Sequence, residues 1–154
     1  MFGPPADTPW LWVGLTLGSA VMLSVVLGVP TAAPQADRVA TTIDEVAVSD
    51  GGQAEIELRA EAVRIGQESI GLRGPGGRSH ASFKYGPVTP VVQGTKLAAV
   101  LAGQPPETVF ETPGEFKRAL YWADRRRPDW QPAGATVRVK QVHYEEVNGV
   151  LVGT

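Results

Sequence analysis

Residues 54–65 read AEIELRAEAVRI, and the period of that run decides the fold class. Its Ala and Glu content would suit a helix. Its order suits a strand: Ile56, Leu58, Ala60 and Ala62 alternate with Glu55, Glu57, Arg59 and Glu61, giving one apolar and one charged face. Ser49-Asp50-Gly51-Gly52 supplies a turn just before it, which also favours strand. A half-buried strand needs partners, and the flanking sequence offers several. β-Branched residues are enriched over residues 39–48, which reads as strand. A short strand around residues 70–73 leads into Gly74-Pro75-Gly76-Gly77, and another follows over residues 81–85, so the pair reads as a hairpin. Residues 86–92 (GPVTPVV) are extended, and their two prolines bar them from a central strand.

Helical signals lie further on. Residues 96–102 form a short apolar helix or turn, stopped by Gly103 and Pro105-Pro106. The clearest helix starts at Thr112, which can cap it; Pro113 suits the first helical position, and Glu115 completes a T-x-x-E capping box. Phe116, Ala119, Leu120 and Ala123 fall on one stripe, Arg125 to Arg127 occupy the last turn, and Pro128 ends it. The run TVRVKQVHYEEV (136–147) places Val137, Val139 and Gln141 on one strand face. Asn148-Gly149 is a strong two-residue turn signal, after which residues 150–152 pair back. The fold class is therefore α+β, a small antiparallel sheet domain with one or two short helices.

Upstream stands WLWVGLTLGSAVMLSVVLGV, residues 10–29, with no charged side chain and a proline on either side. A helix of about 20 residues crosses a hydrocarbon core of roughly 30 Å. The run is longer than a signal-peptide core and lacks a basic start, so it reads as an uncleaved transmembrane helix. The chain then divides into a tail (1–9), the anchor (10–29), a Pro/Ala linker (30–38) and a domain (39–154). Gly14 and Gly18 form a GxxxG pair that would let membrane helices pack, and Trp10 and Trp12 suit the interface. Arg38 alone follows closely, so the positive-inside bias leaves orientation open.

Composition narrows the chemistry. Fourteen Lys+Arg against sixteen Asp+Glu give a net charge of −2, which argues against a general nucleic-acid binder. With no Cys, disulfides, thiol catalysis and Cys-based zinc sites are excluded. His80 and His143 are the two histidines; His143-x-Glu145 with His80 would make a metal site only if the fold converged them, and the ordinary reading is that both are surface histidines. Ser79 and His80 are adjacent, so a strand turns them to opposite faces, a poor nucleophile–base pair. GPGGR (74–78) lacks the phosphate-loop spacing. No catalytic residue, metal or cofactor is implied. The informative polar cluster is Trp122, Arg125, Arg126, Arg127 and Trp130, which could grip a lipid headgroup, an acidic partner or a phosphate. The plainer reading is a helix C-terminus with favourable charges, a stacked Trp and a proline stop.

Ser69-Ile70-Gly71-Leu72-Arg73, then Ser79-His80-Ala81, then Tyr85-Gly86-Pro87-Val88-Thr89-Pro90-Val91 resemble a haloarchaeal family of uncharacterised membrane-anchored proteins. The resemblance covers anchor and domain. It implies architecture and company, alongside pilus-like and secretion components, and brings no catalytic residues. With the charge-free anchor, its GxxxG face, the compact domain and no catalytic constellation, the expectation is a non-enzymatic structural or accessory component of a cell-surface, pilus-like or secretion assembly, the domain extracytoplasmic and the bilayer and other envelope proteins its partners. The alternative is a tethered module that binds an anionic ligand or headgroup. The chain departs from type IV pilins, having no Lys/Arg-Gly cleavage site and no acidic residue near the start of the apolar run.

Overall fold

The computed structural model describes residues 35–154. The anchor reading, with Gly14 and Gly18, lies outside the described residues. Among the described residues no helix is long and apolar enough to cross a membrane. The domain is α+β. In chain order come α1 (Ala36–Val48), β1 (Gln53–Glu57), β2 (Ala62–Ile65), β3 (Ser69–Gly74), β4 (Gly77–Ser82) and β5 (Thr89–Pro90). Then follow α2 (Lys96–Leu101), α3 (Pro106–Val109), α4 (Pro113–Asp124), β6 (Gln131–Pro132), β7 (Thr136–Tyr144) and β8 (Val147–Gly153). One sheet has the order β1-β7-β8-β5, antiparallel except for the parallel β8–β5 pair. The other is antiparallel throughout, in the order β4-β3-β2-β6.

The long strands β7 and β8 carry two cores on opposite faces. Val137, Val139 and Val152 pack with α1 and with Val63, Ile65, Ile70 and Leu72 of the second sheet. Val142 and Leu151, of opposite parity, pack with Leu97, Val100, Phe116 and Leu120 of the helical layer. The first sheet is thus a central layer. α1 and the second sheet cover one face, and α2 to α4 cover the other.

Several elements differ from the sequence reading. Residues 39–48 are helix, and α1 begins at Ala36, inside the stretch read as linker. Its β-branched residues are overruled by their spacing: Ala36, Val39, Ala40, Ile43 and Val46 recur every three or four residues and are all buried. The run 54–65 is two strands in different sheets. Ala54 and Ile56 face the core in β1, but Val63 and Ile65 do so in β2, a change of parity. Between them the chain crosses over, held by Leu58 N–H to Ala135 C=O and Glu61 N–H to Arg73 C=O, both at 2.8 Å.

The last turn is also displaced. Glu145-Glu146 makes it, with Glu145 at φ 53°, while Asn148 and Gly149 pair with His143 and Val142 inside β8. Gly149 serves packing instead: a Cβ there would stand 3.2 Å from Leu120 Cδ1, so its absence lets α4 approach the sheet. Gly74-Pro75-Gly76-Gly77 turns the β3–β4 hairpin as expected, but its second strand starts at once and runs Gly77–Ser82, not over residues 81–85; the proline-bearing β5 is an edge strand.

Candidate functional site

α4 is set by its own first turn. Thr112 Oγ1 accepts the Glu115 N–H at 3.2 Å, as the capping box requires. Glu115 reaches back one residue further than the box predicts, accepting the Glu111 N–H at 3.1 Å, and its other oxygen meets Lys96 Nζ of α2. The Lys96 hydrogen bond, followed by the Glu111 N–H, holds the Glu115 carboxyl below its ordinary value. Phe116, Leu120 and Ala123 are buried, as their stripe predicts.

A second face of α4 borders an open groove of about 780 Å³. Glu115, Arg118, Ala119, Trp122, Ala123 and Arg126 line it at intervals of three and four. Pro90 of β5 and Val92 just beyond it also line the groove, and Leu97 and Phe110 contribute apolar surface. Trp122 is 64% exposed where it borders this cleft, whose lining is part apolar and part charged. Lys96 is neutralised by Glu115. Among the described residues, no carboxylate oxygen comes within 4.0 Å of Arg118 or Arg126. The groove therefore offers two guanidiniums outside any close ion pair, an indole and apolar side chains, with the carboxylates of Glu111 and Glu115 on the same lining and Arg118 near enough to Glu115 to help hold its carboxyl low.

The five residues singled out from the sequence do not form one site. Trp122 and Arg126 share the groove. Arg125 caps α4 and lays its guanidinium 4.3 Å from the Tyr121 ring centroid. Arg127 is exposed beyond the helix. Trp130 belongs elsewhere: it lies on the second sheet against Gly71, with the Arg64 and Arg73 guanidiniums 5.4 and 5.1 Å from its ring centroid. Arg118 was legible in the 3–4 spacing with Trp122. Lys96, Arg64 and Arg73 had no local signal, because the fold alone brings them in.

The histidines also separate. His80 lies on β4 of the second sheet and His143 on β7 of the first, where its Nδ1 meets Asn148 Oδ1. Glu145 stands in the turn beyond. Among the described residues, no group of three or more His, Asp or Glu side chains converges on a metal position. Ser79 Oγ accepts the Ala36 N–H at 3.1 Å, while His80 is exposed on the other side of its strand.

No curated protein and no solved structure matches the chain. A family described only as of unknown function, DUF7283, matches residues 3–142, and the chain belongs to it.

Proposed function

We propose that this protein is a single-pass, membrane-anchored accessory component of a cell-surface or secretion assembly, non-enzymatic, with its domain outside the membrane. The groove beside α4 is then its contact for an envelope partner. Support for the anchor is the uncharged apolar run 10–29 with its GxxxG pair, Gly14 and Gly18. The resemblance to haloarchaeal membrane-anchored proteins supports the company it keeps. One observation carries the contact site: exposed Trp122 stands with Arg118 and Arg126, neither in a close ion pair among the described residues, along an open cleft. Large exposed aromatics and arginines are the residue types that anchor interfaces. The ionised Glu115 is engaged by Lys96 and a backbone N–H, so it acts as a fixed acceptor and not as a proton donor.

The test is co-purification of envelope components with the tagged full-length chain and with an Arg118→Gln/Arg126→Gln variant. Loss of bound partners in the variant, with unchanged melting, supports the reading. Equal recovery from both proteins contradicts it. A second reading, a tethered module for a small anionic ligand, rests on the same two arginines; it predicts saturable binding of inorganic phosphate or a carboxylate that the same variant loses.

A further inference from the structure

The first sheet ends in two unlike strands. At one end Val91 N–H reaches Val152 C=O at 2.8 Å, so Thr89 and Val91 face β8 and the outward position falls to Pro90, which has no N–H. At the other end stands β1, with β7 as its one strand partner among the described residues. Gln141 N–H reaches Gly52 C=O and Leu58 N–H reaches Ala135 C=O, each at 2.8 Å. The ladder between these two bonds alternates. Ala54 and Ile56 therefore bond to β7, and Gln53, Glu55 and Glu57 turn their N–H and C=O groups away from it. Donors and acceptors in a row along a proline-free edge are a template for another strand.

Beside that edge lies a groove of about 550 Å³. Its walls include Arg38, Val39 and Thr42 of α1, Ile56 of β1, Leu58 just after it, and Leu72 of β3. Ala54 and Ile56 pack into the core that α1 shares, so residues of an added strand directly opposite them would lie on the same side, over the groove. Residues opposite Gln53, Glu55 and Glu57 would fall on the other face.

The charges on β1 narrow the occupant. Glu55 is engaged within the sheet: its Oε1 accepts the Thr136 hydroxyl at 2.8 Å and lies 3.6 Å from Arg138 Nε. Glu57 makes no ion pair among the described residues. Two copies joined through β1 with all three outward residues paired would set Glu55 against Glu55, so self-pairing is disfavoured. A strand with an apolar residue opposite Ile56 and a basic one opposite Glu57 suits both the groove and the charge.

We propose that the outer edge of β1 binds an extended segment of a partner protein as a fifth, antiparallel strand of this sheet. Apolar side chains opposite Ala54 and Ile56 enter the groove beside α1, and a basic side chain opposite Glu57 selects the segment. Backbone hydrogen bonds and apolar contact hold it, so the attachment survives high salt. The contact uses neither the apolar run 10–29 nor the α4 groove.

The probe is a fluorescein-labelled, amidated peptide, Thr-Arg-Val-Thr-Val-Thr, titrated by anisotropy against the full chain in mild detergent. In the proposed register its arginine meets Glu57, its valines Ile56 and Ala54, and its fourth residue Glu55. Saturable binding is expected. N-methylation of the fourth residue, whose N–H points at β1, should weaken binding about ten-fold, and N-methylation of the third, whose N–H points away, should barely change it. Glu in place of the peptide's arginine should weaken binding about five-fold, and Glu57→Lys in the protein should restore it. Salt near 1 M, where the screening length is about 3 Å, should lower the affinity by no more than about three-fold. Glu55→Pro removes the central outward donor while Ala54 and Ile56 keep the β7 ladder, so binding should be lost with the circular dichroism spectrum unchanged. The methylated peptides are read on the unaltered protein, so the test does not depend on a variant folding. No saturable binding, equal loss from both N-methyl peptides, or loss of binding in salt overturns the docking edge.

Discussion

The α4 groove and the Trp130 face each combine arginines with an exposed or half-exposed indole, yet they are built in different ways. α4 carries its own instructions: a capping box, a Pro at the first turn and a 3–4 spacing that sends Phe116 and Leu120 inward while Arg118 and Trp122 face the groove. The Trp130 face has no such local rule. Arg64 and Arg73 come from neighbouring strands, and Trp130 arrives from the segment between α4 and β6. Local spacing makes the first region legible; strand register makes the second. A cluster of Trp and Arg close together in sequence, such as residues 122–130, is therefore divided between both.

The sharpest way to separate the two regions is to remove what supports each. Phe116 is fully buried beneath α4 and tilts against Phe110, their centroids 5.3 Å apart. Phe116→Ala should destabilise the domain by about 3–5 kcal/mol, read as a shifted urea midpoint. Trp130→Ala, at a half-buried position, should cost clearly less. Equal losses would mean that the outer face is as integral to folding as the helical core.

A finer comparison uses two glycines with the same close approach. A Cβ at Gly149 would sit 3.2 Å from Leu120 Cδ1 and 3.4 Å from Cδ2, both on a buried side chain. A Cβ at Gly71 would sit 3.2 Å from one edge atom of Trp130, which can tilt outward. Gly149→Ala should therefore cost about 1–3 kcal/mol by overpacking, and Gly71→Ala less. The reverse order in thermal melts would show that Trp130 is held more rigidly than its exposure indicates.

The smallest expected effect is electrostatic and belongs to the groove alone. Glu115 is held below its ordinary value by Lys96, so the folded state binds that proton less readily than the unfolded chain. The resulting stabilisation is present above the ordinary glutamate value of 4.5 and is lost as pH falls below it through the depressed one. Because the pair is solvent-exposed, the effect is slight. Glu115→Gln should flatten the acid limb of a melting-temperature-against-pH curve; an unchanged limb would show that Lys96 does not hold this carboxylate in solution.

What was legible follows the same division. The β3–β4 hairpin, α2, the cap and buried stripe of α4, and the edge position of β5 all follow from turn residues, prolines and short-range period. α1 was read as strand because Val39, Ile43 and Val46 count toward β content, although their spacing is helical. The strand 54–65 was read as continuous because Leu58 and Ala60 extend its alternation through the crossover; only tertiary pairing with Ala135 and Arg73 breaks it. Asn148-Gly149 carried a turn signal, but the glycine answers Leu120 across the core, a contact 29 residues away in sequence.

Sidedness of the domain is the point on which the proposed role depends most. Ser49 is exposed at the end of α1, and the chain contains no other cysteine to confuse its label. Full-length Ser49→Cys protein in intact cells should sediment with membranes and react with a membrane-impermeant maleimide, which is the result expected of an anchored domain facing outward. Membrane association with labelling only after lysis would place the domain in the cytoplasm and contradict a role in a surface assembly.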